Sequence, residues 1–200
     1  MSMKLYITDP SPYARKCRIV LRERGLADRC EELRVDPYAS DPTLVAANPV
    51  AQVPALVTED GTVFTDSPLI CAWLDAHGVS GDALIPPGDA QWPVRRLETL
   101  ADAGLEMGVK WVLEKRRPEA ERSPTWIARW QVGLIRTLDA LEAMDMDSAR
   151  PDLGIISAGV LVTWLDFRHP EVDWRSGRPR LVALQTALEA RTSFVETSPR

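Results

Sequence analysis

The sequence predicts a two-part fold, an α/β domain of order βαβ-α-ββα followed by an all-helical bundle, on three observations. Between residues 4 and 78, short β-type runs alternate with helical ones. Residues 79–89, VSGDALIPPGD, are dense in Gly, Pro and Asp and read as a connection between domains. Beyond them every periodic segment is helical. The boundaries are 1–80 for the α/β domain, 81–88 for the linker and 89–200 for the all-α domain.

Each element has a local reason. Leu5-Tyr6-Ile7 is an apolar strand that turns through Asp9-Pro10-Ser11-Pro12 into the first helix. Proline is favoured at the first helical position and serine just outside it, so Ser11 stands at a helix mouth. A helix mouth offers unpaired N–H groups and partial positive charge, a place for an anion. Gly25 ends the helix. Residues 29–35 read as a weak edge strand, and Asp41-Pro42 caps a short helix over 43–47. Residues 53–58 and 62–64 form a hairpin around Glu59-Asp60-Gly61-Thr62. After Asp66-Ser67-Pro68, the run LICAWLDAHG repeats Leu69, Ile70, Trp73 and Leu74 at helical spacing. Ser67-Pro68 repeats the pattern of Ser11-Pro12, which places Ser67 as a second N-cap. Neither helix has Glu or Gln at the position that returns to the cap, Ala14 and Ile70 standing there instead, so the first-turn N–H groups stay open to a ligand.

In the second domain, residues 90–115 and 124–144 are long helices, the latter opened by Ser123-Pro124. Residues 153–167 are apolar all round, as in a helix at the centre of a bundle, with Asp152 as N-cap. A final helix covers 179–190, and the tail SFVETSPR reads as loosely held.

Bulk properties exclude several classes. The 200 residues are 45% hydrophobic and 26% charged, with net charge −5. Residues 1–80 hold 8 basic and 11 acidic side chains, the rest 16 and 18, so neither half has the basic footprint of a nucleic-acid binder. No apolar stretch approaches the roughly 20 residues of a membrane span, and the N-terminus lacks the apolar segment of a signal peptide. Cys17, Cys30 and Cys71 show no metal-ligand spacing, and His77 and His169 are too isolated for a metal site. An odd cysteine count in a chain of this size points to free thiols in a reducing cytoplasm.

An α/β domain joined by a Pro/Gly linker to an all-α domain resembles the cytosolic glutathione S-transferases, and the resemblance covers the whole chain. SPYARKCRIVLRE is similar to that family's catalytic turn and first helix, NPVAQVPAL to its NPxGxVPxL segment, and TDSPLICAWL to its acidic-Ser helix start. The buried helix and the closing Ser193-Phe194 also fit, and the closest likeness is to the bacterial Ser-type YibF-like branch. Two departures stand out. Ala51 replaces the family's glycine, and Ile155 replaces the acidic residue of the capping box that Asp152 opens.

The resemblance implies a thioredoxin-like N-terminal domain, glutathione as co-substrate, no metal, and a cytoplasmic homodimer. It assigns Ser11 to the thiolate, Asp66 to the γ-glutamyl amino group, and Ser67 to the γ-glutamyl carboxylate. Val53, ahead of a cis Val53-Pro54 bond, pairs with the cysteinyl backbone as an added strand would, and Gln52 meets the glycyl end. Lowering a thiol pKa by about two units takes roughly 2.7 kcal/mol. One hydrogen bond to a charged group supplies about 1.5–3 kcal/mol and a helix N-terminus about 0.3–1, so one hydroxyl at this mouth provides most of it. Tyr13 is a competing hydroxyl at the edge of the site, and Arg15 adds positive potential.

The electrophile pocket is expected to draw on Tyr13, Trp111, Lys115 and Trp164; six of the seven tryptophans lie beyond the linker. Serine where some relatives carry cysteine disfavours thiol–disulfide exchange, and Cys17 and Cys71 read as core. The activity implied is addition of the glutathione sulfur to small apolar electrophiles, or reduction of organic peroxides. Two alternatives stand beside it: a non-catalytic interaction protein of the same fold, and a glutathione-dependent isomerase of the maleylacetoacetate type, whose Ser-rich catalytic turn DPSPYA does not reproduce.

Overall fold

The strand order β2-β1-β3-β4 places the first strand at the heart of a four-stranded mixed sheet. β1 (Met3–Ile7) runs parallel to the edge strand β2 (Cys30–Arg34) and antiparallel to β3 (Ala55–Val57), which pairs with β4 (Val63–Thr65). The computed structural model describes residues 2–199. It divides into two compact units, Met1–Pro87 with Arg191–Arg200, and Gly88–Ala190.

In the first unit α1 (Pro12–Glu23) and α3 (Ser67–Ala76) pack against each other, so closely that Cys17 Sγ and Cys71 Sγ stand 3.7 Å apart. Both thiols are fully buried, as expected of core cysteines. The short α2 (Pro42–Ala47) covers Tyr6 and Ala55 with Leu44 and Ala47, while Leu5 and Ile7 are buried on the opposite face of β1. α1 stops where predicted. Gly25 takes φ +66°, Leu26 N–H bonds to Leu21 O (2.7 Å) and Gly25 N–H to Arg22 O (3.1 Å), the paired closure that a left-handed residue makes possible. The predicted strand 53–58 is shorter, with regular pairing over Ala55–Val57 only, and the Val53–Pro54 bond just before it is cis.

In the second unit α6 (Leu153–Arg168) is buried from Leu153 to Leu165, with Asp152 Oδ1 accepting from Ile155 N–H at 2.8 Å. It packs on α4 (Gln91–Lys115), α5 (Pro124–Glu142) and α7 (Pro179–Glu189) lying in the same unit. Close approach requires glycine on α4: a β-carbon at Gly108 would stand 2.7 Å from Trp164 Cζ3.

One expectation fails at the C-terminus. The tail is not loosely held: Thr192–Glu196 form α8, with Phe194 1% exposed and Thr197 fully buried. Residues 191–199 belong to the first unit. A five-residue helix carries no periodic signal, and the partners that order it lie far off in sequence, on α1. The last residue of the tail, 200, lies outside the described residues.

Candidate functional site

The sheet register brings three loops to one end. Tyr6 pairs with Ala55 and Ala55 with Thr65. The C-terminal end of β1, the start of β3 and the C-terminal end of β4 are therefore neighbours. These strand ends lead into the Ser11 turn, the Val53-Pro54 bond and the Asp66-Ser67 junction, and the mouths of α1 and α3 open on the same edge. The register thus gathers Ser11, Val53, Pro54, Asp66 and Ser67, with exposed Gln52 beside them.

Ser11 is the N-cap of α1, half-buried, with extended backbone (φ −76°, ψ 120°). Its Oγ accepts from Ala14 N–H at 3.2 Å. The N–H of Ala14 is therefore used by the cap and is not open to a ligand, contrary to expectation. The hydroxyl proton is not used by this bond. Tyr13 lies half-buried in the first turn.

The α3 mouth is built differently, and the prediction that Ser67 caps it is corrected. The helix starts one residue earlier: Asp66 takes the cap position without a side-chain hydrogen bond, and Ser67 is the first helical residue. Pro68 then falls at the second position, where its missing N–H still costs nothing. The chain's change of direction falls on Asp66, at φ 71° and ψ 127°, a left-handed conformation costly for a residue with a β-carbon. The Asp66 side chain projects as an exposed residue. Ser67 is 1% exposed, and its Oγ finds no hydrogen-bond partner among the described residues. A buried hydroxyl left unpaired costs about 1–3 kcal/mol, which a bound acceptor would relieve.

The loop before β3 is tied by Asn48, whose Nδ2 donates to Gln52 O at 2.8 Å and whose Oδ1 accepts from Val50 N–H at 3.2 Å. Ala51 takes φ 52°, the left-handed conformation a glycine adopts freely. The backbone thus keeps the shape that glycine would favour, at a local cost.

Burial, with the Glu32 carboxylate next, pushes the Cys30 thiol up to about 12, so it stays protonated. Among the described residues, no group of three or more His, Cys, Asp or Glu side chains could hold a metal ion, and no helix is long and apolar enough to cross a membrane.

Trp111, Lys115 and Trp164 are gathered in the second unit, around a residue that sequence reasoning set aside. His169 is 0% exposed; its ring stacks on Trp111 (4.1 Å between centroids) and meets Trp164 edge-on (5.6 Å). Its Nε2–H donates to Gly108 O at 3.0 Å, which leaves Nδ1 to accept from Lys115 Nζ at 3.3 Å. Lys115 lies 4.4 Å from the Trp111 ring centroid and pairs with Glu171. Burial pushes the imidazole below its ordinary value, against the Gly108 bond and with help from the Lys115 ammonium. Both tryptophans are thus interior side chains of the helical unit. No spacing could have found this cluster, because His169 follows the end of α6 and meets α4 only in three dimensions.

Comparison with known proteins agrees with this fold. A family model for the glutathione S-transferase N-terminal domain matches residues 10–77, and one for the C-terminal domain matches residues 124–184. The chain is 34% identical over 202 residues to the uncharacterized GST-like protein YibF of Escherichia coli (strain K12), with 98% of each covered. A glutathione transferase family member from Pseudomonas fluorescens Pf-5, solved with bound glutathione, is similar at TM-score 0.93 and 33% identity, with 100% of both chains covered. A glutathione S-transferase from Methylobacterium radiotolerans JCM 2831, in complex with glutathione sulfonate, is similar at TM-score 0.90 and 34% identity, covering 100% of this chain and 95% of that one.

Proposed function

The chain belongs to the glutathione S-transferase family, and on that premise we propose that it holds glutathione at the mouths of α1 and α3 and activates its thiol through Ser11. The observation that carries this reading is the buried Ser67 hydroxyl, which has no partner at the start of α3. It accepts no role in the helix and is set to donate to a carboxylate. The α3 dipole and the Ser67 N–H favour the same anion. The Asp66 carboxylate, held outward by its strained backbone, takes the γ-glutamyl ammonium. The Val53 backbone pairs with the cysteinyl unit, and Gln52 meets the glycyl end. The tripeptide then runs across the sheet end, with its sulfur toward Ser11.

Ser11 Oγ accepts from Ala14 N–H and donates a hydrogen bond to the thiolate. That hydrogen bond stabilises only the ionised sulfur, so it shifts the ionisation toward thiolate near neutral pH; the displaced proton goes to solvent. The thiolate attacks an electrophilic carbon, an S–C bond forms, and the leaving group departs with the bonding pair. With an organic peroxide, sulfur instead attacks the terminal oxygen, the O–O bond breaks, the departing alkoxide takes a proton from solvent and leaves as an alcohol, and a second glutathione reduces the resulting sulfenic acid to the disulfide and water. A small apolar electrophile is the proposed second substrate. Tyr13, half-buried in the first turn of α1, is kept as the proposed edge of its site, in a cytoplasmic homodimer, while Trp111 and Trp164, interior to the helical unit with Lys115 beside them, are given no part in it.

The reading is tested by calorimetry with glutathione, followed by turnover with an aryl halide and with an organic hydroperoxide. Binding with turnover of either supports it. No binding at millimolar glutathione overturns it and moves the search to protein partners.

A further inference from the structure

The side chains of the C-terminal helix α8 converge on α1, the helix that carries Ser11. Phe194 is the centre of this contact. Its ring lies 5.2 Å from the Arg15 guanidinium carbon, and its carbonyl accepts from Arg15 Nη2 at 3.3 Å, across 179 residues of sequence. Arg15 is 2% exposed, so this guanidinium is fixed by packing and not by solvent. The backbone N–H of the same Arg15 donates to Ser11 O at 3.0 Å, the first bond of the helix. Phe194 and Ser11 thus hold opposite ends of one residue.

A second route runs along the outside of α1. Glu196 accepts from Arg22 Nε at 2.8 Å, and Arg22 Nη1 donates to Glu32 at 2.7 Å. Glu32 also accepts from Arg18 Nε at 2.7 Å. Arg18 Nη1 stands 3.8 Å from Asp9, which Arg34 Nε holds at 2.9 Å. Asp9 lies in the turn two residues before Ser11. At the far end of α1, Glu23 accepts from Arg191 Nη2 (2.6 Å) and from Ser193 Oγ (2.5 Å), which fixes where α8 sits along the helix.

From this we propose that α8 is a positioning element for Ser11, with Phe194 and Arg15 as its positioning residues. The inference rests on the role given to Ser11 under Proposed function. An α-helix moves as a stiff rod, so a contact at Arg15 and at the C-terminal end of α1 sets the height and rotation of its mouth. A hydroxyl-to-thiolate bond tolerates little displacement: a misplacement of about 1 Å can cost on the order of a hundredfold in rate. Seating α8 therefore sets how well Ser11 stabilises the thiolate without touching the groups that bind the rest of the tripeptide.

The test uses the full chain and three variants, Phe194→Ala, Phe194→Leu and Glu196→Gln, each read by glutathione calorimetry and by ultraviolet thiolate absorbance of the complex against pH. For Phe194→Ala the account expects the apparent pKa of the bound thiol to rise by about 0.5–1 unit, roughly a three- to tenfold loss of thiolate at fixed pH, with glutathione affinity little changed. Phe194→Leu keeps the apolar volume and loses the ring face, and the rise is smaller. Glu196→Gln alters an exposed side chain, folds as the parent does, and shows a small rise in the same direction. If Phe194→Ala fails to fold, the other two decide the question. A thiol pKa equal to the parent's in every folded variant, with only thermal stability lowered, overturns the proposal and leaves α8 a structural brace. A parent complex with no thiolate absorbance overturns the glutathione reading itself, and that result is distinct because it appears before any variant is made.

Discussion

The mouths of α1 and α3 begin from the same dipeptide and end as opposites. At α1 the serine before the proline caps the helix, spends its lone pair on Ala14 N–H, and keeps its proton. At α3 the serine is drawn into the helix, Asp66 takes the cap position with a left-handed backbone, and the Ser67 hydroxyl is buried without a partner. Ser123-Pro124 in α5 offers a third case, a plain cap that accepts from Trp126 N–H at 3.4 Å. The difference teaches that a Ser-Pro pair specifies a helix start but not its register. A strained residue one position earlier converts a self-satisfied cap into a group that waits for an acceptor.

Substitution at the two mouths should break the symmetry further. Ser11→Ala has the largest expected effect. It removes the one donor to the thiolate and should lower turnover about a hundredfold or more, and it should also cost about 1 kcal/mol of stability through the lost cap. Steady-state kinetics and thermal melting report the two effects separately. Ser67→Ala should weaken glutathione binding about ten- to a hundredfold, the worth of a hydrogen bond to a charged group. Its melting temperature should hold or rise, because it deletes a buried unpaired hydroxyl. A melting temperature that drops as far as in Ser11→Ala would contradict the contrast drawn here. Ser123→Ala is the control: a stability loss near 1 kcal/mol, with glutathione binding and turnover as in the parent.

Two smaller effects sharpen the comparison away from the mouths. Ala51→Gly should stabilise the chain by about 0.5–1 kcal/mol in denaturant titration, since left-handed alanine costs about 1–2 kcal/mol and the freer unfolded glycine returns part of it. The other effect is seen only in acid. His169 titrates below its ordinary value when folded, so near and below pH 6.5 the unfolded chain binds a proton that the folded one does not. Stability from this group is complete above about pH 6.5 and falls as the pH drops toward the lowered folded value. Substituting His169→Gln should flatten the melting profile in that window, in a range where the paired carboxylates Glu23 and Glu32, held below their ordinary values, remain ionised.

The parts legible in the sequence are those whose causes lie within a few residues. Ser11 as a cap, Gly25 as a stop, the hairpin around Gly61 and the apolar run from Leu153 each carry their own signal, and the structure bears them out. The register at Ser67 was not legible, because it depends on how β4 delivers the chain to Asp66. The α8 helix was hidden for a related reason: its order comes from Glu23, Arg22 and Arg15 on α1, more than 160 residues away in sequence. His169 was hidden because its partners Trp111, Lys115 and Gly108 lie on α4.

The most direct measurement is the ultraviolet thiolate absorbance of the glutathione complex against pH, taken for the parent, Ser11→Ala and Ser67→Ala at saturating ligand. The account predicts a thiolate near neutral pH in the parent, its loss in Ser11→Ala with affinity largely kept, and its retention in Ser67→Ala once the weaker binding is saturated. A thiolate signal that survives Ser11→Ala, or one abolished equally by both substitutions at saturation, would contradict the division of labour between the two helix mouths.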